Sequence, residues 1–242
     1  MIREIEEAVW RLRQCAKPIV FDSGNEGFPY ATWGTGFLVK LGAQLFFVTA
    51  NHVLGDMSLD KLLVFPNAES DESIPFSEVF TVANRDPADP DSSDLVILKT
   101  HLGNLRLAEQ SCLYAIDLDV SSDSWRTAPL DHRFAIFGFP HESRNVDDER
   151  FQVVWTQNVL LGRFADNSPM SHCYALDIAD FNGVENFDGL SGSPVVSWPR
   201  KITDNFHPSF CGMVLRGTRK SGKIHFLDAA VLRKALEFAR DN

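Results

Sequence analysis

The run Phe187-Asp188-Gly189-Leu190-Ser191-Gly192-Ser193-Pro194-Val195-Val196-Ser197 places Ser191 between Gly189 and Gly192, with Pro194 and an apolar segment behind it. Glycine on both sides lets the backbone turn tightly and leaves its amides uncovered. A serine hydroxyl is a weak nucleophile by itself, so a chemical reading of this turn demands a basic side chain and a group to orient it. Candidates for both lie upstream, at His52 and Asp94.

Most of the rest reads as short strands. Gly36 to Lys40 and Leu45 to Ala50, joined through Gly42, read as a hairpin that ends at Asn51-His52-Val53-Leu54. Leu62 to Phe65, Phe76 to Val82 and Asp94 to Leu98 read as further strands, with a loop containing Pro87 and Pro90 between the last two. Phe134 to Pro140, Phe151 to Trp155, His172 to Ile178, Pro194 to Ser197 and Gly212 to Leu215 continue the pattern. Many short strands separated by turn residues predict barrels or a sandwich, not a parallel α/β sheet. Residues 2 to 15 repeat Ile2, Ile5, Val9 and Leu12 at helical spacing, and Pro18 limits their continuation. This helix either packs on the outside of the body or docks a partner. A second helix is predicted from Asp228, as N-cap, to Arg240.

Taken singly, each candidate has an ordinary reading: His52 as a loop residue, Asp94 as a turn aspartate, Ser191 as a Gly-Ser turn. Their order and strand context join them. Val48-Thr49-Ala50-Asn51-His52-Val53 is similar to the Thr-Ala-x-His segment of the trypsin-like (chymotrypsin-fold) serine peptidases, and Ser93-Asp94-Leu95-Val96-Ile97-Leu98 resembles the segment carrying their acid. Gly189-Leu190-Ser191-Gly192-Ser193-Pro194 resembles their nucleophile loop. The resemblance covers about residues 30 to 240. It implies an all-β fold of two six-stranded antiparallel Greek-key barrels with the active site between them, plus N-terminal and C-terminal helices. The expected division is a lead-in over 1–30, a first barrel over 31–116, a linker over 117–129, a second barrel over 130–227 and a closing helix over 228–242. By the same resemblance Ser191 is the nucleophile, His52 the general base and acid, and Asp94 the orienting acid. The backbone amides of Gly189, Leu190 and Ser191 are expected around the oxyanion hole.

The departures matter too. Secreted members carry an aspartate just before the serine that pairs with a new N-terminus, whereas this chain has Leu190 and no Ile-Val-Gly-Gly-type start. Activation by zymogen cleavage is therefore not expected, and the match is better to intracellular bacterial or viral members. Leu215, Arg216 and Gly217 are expected to pair with substrate backbone. Glu185, six residues before Ser191, occupies the place of the acid that selects Lys or Arg; its alternative reading is a solvated turn. Arg216, Arg219, Lys220 and Lys223 point instead to acidic residues, or to an exposed hairpin tip.

A net charge of −10 argues against a nucleic-acid partner. Hydrophobic residues at 44% and charged ones at 23% suit a soluble globular chain, and 242 residues suffice for a sizeable core. No secretory signal or membrane span is read, so a cytoplasmic protein is expected. Cys15, Cys112, Cys173 and Cys211 are scattered and read as free thiols, with Cys173 and Cys211 the one pair to consider for a disulfide. The histidines other than His52 show no ligand spacing, and neither a metal nor a cofactor is expected. The expected partners are a protein or peptide substrate and an activating protein, as in the protease arm of a bacterial multi-component or defence system. The alternatives are a silent protease-fold scaffold and an esterase with the same three residues.

Overall fold

A computed structural model describes residues 2–24, 26, 30–82, 93–121, 123–147, 152–201 and 208–242. The expected loop with Pro87 and Pro90 lies outside the described residues. The chain opens with α1 (Ile2–Cys15), and Arg13 Nε donates to Gln157 Oε1 at 3.0 Å while Gln157 Nε2 returns a bond to the Arg13 carbonyl at 2.7 Å. Val9 and Leu12 pack on the buried body, which settles α1 as an element laid against the core.

The first half contains β1 (Ala16–Asp22), β2 (Tyr30–Leu41), β3 (Gln44–Thr49), the single turn α2 (Asn51–Leu54), β4 (Leu62–Leu63), β5 (Phe76–Thr81), β6 (Val96–Thr100), the turn α3 (Leu107–Gln110) and β7 (Ile116–Asp117). Its strands run β4-β1-β2-β3-β6-β5, with β7 laid parallel to the end of β2. The resemblance implied a closed six-stranded barrel here. The sheet curls but does not close, because its end strand β4 is only two residues long and cannot form a ladder with β5. One face of the sheet buries Phe37, Phe46, Val48 and Ile97, and the other buries Leu38, Phe47 and Leu98.

The second half does close. It contains β8 (His132–Gly138), the small hairpin β9 (Arg144–Asp147) and β10 (Gln152–Trp155), then β11 (Asn158–Asn167), β12 (Cys173–Asp180), β13 (Pro194–Pro199), β14 (Ser209–Thr218) and β15 (Lys223–Asp228). Six of these form a closed antiparallel barrel in the order β11-β12-β15-β14-β13-β8. Trp125, 1% exposed, fills its end among Phe134, Phe164, Tyr174 and Phe226. The stretch expected to be only a linker thus supplies part of the second core.

The last helix, α4 (Ala229–Asp241), starts where expected: Asp228 Oδ1 accepts the Ala230 N–H at 2.7 Å. The same carboxylate grips the Arg126 guanidinium, with Oδ2 accepting from Nη1 at 2.6 Å and Oδ1 from Nη2. All four cysteines are free, so the considered Cys173–Cys211 disulfide is not formed. Burial pushes the Cys15 thiol up to about 12 and raises Cys211 as well, so neither offers a thiolate near neutral pH. Among the described residues, no helix is long and apolar enough to cross a membrane.

Because Asp228 both caps α4 and neutralises Arg126, its loss removes two stabilising contacts. A cap contributes about 1 kcal/mol. Stranding a partly buried guanidinium adds to that, so Asp228→Ala is expected to cost about 2–4 kcal/mol by urea denaturation. Asp228→Asn, which keeps the capping oxygen, is expected to fall between wild type and Ala. Equal stability of all three would refute the double role.

Candidate active site

The end of β3 presents His52. Ala50 is extended (φ −77°, ψ 140°), α2 follows for one turn, and Gly55 stops it by donating to the Asn51 carbonyl at 3.1 Å. Val53 and Leu54 are buried while the His52 side chain stays half exposed. The turn seats closely on β2: a Cβ at Gly34 would stand 2.3 Å from Val53 Cγ1.

Asp94 faces His52 because β3 and β6 are neighbours, with Thr49 opposite Val96. His52 lies three residues beyond one partner and Asp94 two before the other, so both emerge at the same end of the sheet. Ser93 and Leu95 are buried on either side, which leaves the carboxylate little freedom. Asp94 Oδ1 accepts the His52 backbone N–H at 2.8 Å, and Oδ2 pairs with His52 Nδ1. This two-point grip sets both the position and the rotation of the ring. With Nδ1–H assigned toward the carboxylate, Nε2 becomes the basic nitrogen.

The serine segment consists of two linked turns. Leu190 N–H closes the first on the Phe187 carbonyl at 3.1 Å, and Ser193 N–H closes the second on the Leu190 carbonyl at 3.0 Å. Their third residues, Gly189 (φ 88°) and Gly192 (φ 84°), occupy the left-handed region where glycine is favoured. Gly192 is needed for space as well: a Cβ there would lie 2.0 Å from the Thr35 carbonyl oxygen.

Sequence reasoning passed over Thr35, which ties this loop to the first half. Its hydroxyl donates to the Gly189 carbonyl at 2.8 Å and accepts the Phe139 N–H at 2.9 Å. Its own N–H donates to the Ser191 carbonyl at 3.3 Å, and its carbonyl accepts the Thr49 hydroxyl at 2.8 Å. Thr35 is fully buried, so these bonds are not shared with solvent. Leu190 supplies the second anchor: it is 1% exposed, inside the second core, and packs closely enough on Gly138 that a Cβ there would meet Leu190 Cδ2 at 2.7 Å. The signal for Thr35, a threonine between two glycines at the start of an apolar strand, was visible but carried no chemistry of its own.

His52, Asp94 and Ser191 border one cleft of about 810 Å³ between the two halves. Ser191 Oγ donates to the Leu215 carbonyl at 2.8 Å, not to the imidazole. Leu215, Arg216 and Gly217 line the same cleft. β13 accompanies β14 only as far as Met213, and Leu215 is the extra residue of a bulge between Val214 and Arg216 on the β15 side. Beyond Met213 the serine loop takes over from β13: Val214 N–H donates to the Ser193 carbonyl at 2.9 Å and its carbonyl accepts the Gly192 N–H at 2.8 Å, and from Leu215 onward this edge of β14 borders the cleft.

Two expectations are corrected. Leu190 N–H cannot serve an oxyanion, since it closes the first turn. Two amides remain from that expectation. Ser191 N–H has no acceptor among the described residues. Gly189 N–H is set by its peptide: His141 N–H takes the Asp188 carbonyl at 2.8 Å, and a trans peptide points its two polar groups in opposite directions. The second correction is Glu185, which lies outside the cleft in a depression shared with Glu142, whose Oε1 accepts the Glu185 N–H at 2.5 Å. The turn closed by Val184 N–H on the Phe181 carbonyl buries Val184 and sends Glu185 to the outer face. The basic cluster also disperses. Arg219 sits 3.6 Å above the Phe181 ring and Lys223 pairs with Asp177 at 3.0 Å, so of these only Arg216 borders the cleft.

Thr35→Val keeps the shape but strands the Phe139 N–H and the Gly189 carbonyl, at an expected cost of about 1–3 kcal/mol. Thr35→Ser should recover most of it. Amide hydrogen exchange at Gly192 and Ser193 should accelerate in the valine variant and return toward wild type in the serine variant. Unchanged exchange in both would show that the hydroxyl does not hold the loop.

Compared with known proteins, no family model matches the chain and no curated protein matches it. The architecture, one closed antiparallel barrel beside one curled sheet, is compatible with a chymotrypsin-like fold.

Proposed function

We propose that the chain is a serine endopeptidase that hydrolyses peptide bonds of a protein substrate through an acyl-enzyme. The observation that carries this reading is the two-point grip of Asp94 on His52 beside Ser191, in a cleft lined by the edge of β14 at Leu215 to Gly217. An extended peptide adds to that edge along Leu215 to Gly217 and brings its carbonyl to Ser191. Ser191 Oγ leaves the Leu215 carbonyl by rotation about χ1 and attacks, while His52 Nε2 takes its proton. The C–N bond then breaks as the imidazolium returns that proton to the departing amine. Water, activated by the same nitrogen, attacks the acyl carbon and releases Ser191. Asp94 holds the ring in its tautomer and stabilises the imidazolium. The Ser191 and Gly189 amides are the donors for the oxyanion, a role in which each is expected to contribute about 10²–10³ in rate.

The rival reading, a silent scaffold on the same fold, draws on the Ser191 bond to Leu215. Hydrogen bonds of catalytic groups often tighten only with substrate present, so this bond is compatible with either reading. A fluorophosphonate probe separates them. Wild type should be labelled, Ser191→Ala should not, and His52→Ala should slow labelling by about 10³ or more. Failure to label folded wild type would sink the peptidase proposal. Cleavage of ester but not peptide substrates by a labelled protein would turn it into an esterase.

A further inference from the structure

Resting on the endopeptidase reading, we infer that the cleft accepts only a small apolar side chain immediately before the cut, with Phe187 and Ile224 setting the limit. A peptide paired along Leu215 to Gly217 alternates its side chains between the two faces of the strand. The side chain preceding the scissile bond then falls beside Ser191, between the Phe187–Gly189 segment and β14. That space is closed from below. A single Cβ at Gly217 would stand 2.7 Å from Ile224 Cγ1, 2.9 Å from the Lys223 carbonyl oxygen and 3.0 Å from Phe187 Cδ2.

Neither wall residue gives way easily. Ile224 is fully buried and directly opposite Gly217 in the β14–β15 ladder. Phe187 is 6% exposed and stacks on Phe181, with centroids 5.8 Å apart and planes 19° from parallel. Arg219 covers the same Phe181 ring and is itself tied to the Val184 carbonyl through Nη1 at 3.0 Å. The result is a braced aromatic wall. The wall at Phe187 and Ile224 is hydrocarbon, Asp188 lines the cleft beside it, and the carboxylate once expected to select a basic side chain, Glu185, faces another depression. A lysine or arginine finds no depth between these walls, whatever charge Asp188 presents beside them, and an aromatic ring finds no volume. Alanine or valine fits.

The test uses peptidyl diphenyl phosphonates differing only in the side chain before the reactive phosphorus: Ala, Val, Leu, Phe or Lys. Covalent modification of the full chain is followed by intact mass, and the fluorophosphonate probe serves as control. Ala and Val reagents should react about 10²-fold faster than Phe and Lys, the order of discrimination a filled pocket gives. Phe187→Ala should raise the Phe and Leu rates about tenfold or more relative to Ala; if that variant fails to fold, Phe187→Leu should shift the ratio in the same direction. Probe labelling with equal or faster reaction of Lys or Phe reagents, or with no reaction of any peptidyl reagent, overturns this inference while leaving Ser191 a nucleophile. An unchanged ratio in the folded Phe187 variants likewise overturns the role of that wall. Absence of labelling by the control itself removes the peptidase reading, and this inference with it.

Discussion

The buried hydroxyl of Thr35 is the contact on which the cleft depends. It stands on the first sheet and bonds to two segments of the second half, the carbonyl of Gly189 and the amide of Phe139. Its neighbour Gly34 admits Val53 and so seats the turn that carries His52. One dipeptide therefore references both walls to the same strand. Two halves that met only through hydrocarbon would slide with little penalty; buried, directional bonds make the junction specific.

Leu190 shows how the serine loop keeps its shape. In the secreted peptidases whose nucleophile loop this one resembles, an aspartate at this place is tied down by ion pairing. Here the place is taken by an alkyl side chain inserted into the second core and closed over by Gly138. Hydrocarbon burial is neither titratable nor screened by salt, so the loop stays ordered without a charge partner. The two turns at Gly189 and Gly192 then follow from short-range geometry.

The three motifs at His52, Asp94 and Ser191 were legible because each is a local pattern on a strand end, and the ladders bring them to one cleft. Much of the secondary structure was legible for the same reason, including the start of α4 at Asp228. What escaped depends on register between distant strands. β11 has no strong alternation to mark it, and β15 was hidden in a polar stretch read as a hairpin tip. Glu185 was located by counting back from the serine, yet the turn at Phe181–Val184 decides which way it faces. Trp125 sat in a polar stretch whose composition said linker, although its ring belongs to a barrel core. The curl of the first sheet without closure depends on the shortness of β4, a boundary that composition does not mark.

The bond from Thr35 to Gly189 spans 154 positions of the chain. On a ribosome adding about 5–20 residues per second, that interval lasts about 8–30 s. Once Asp94 has been added, the emerging chain holds the imidazole and its carboxylate for the rest of that interval, but the serine hydroxyl has not yet been made. A nascent chain in that state has an unfinished cleft and lacks its serine. The long reach of a single threonine thus delays completion of the cleft until residue 189 has been added.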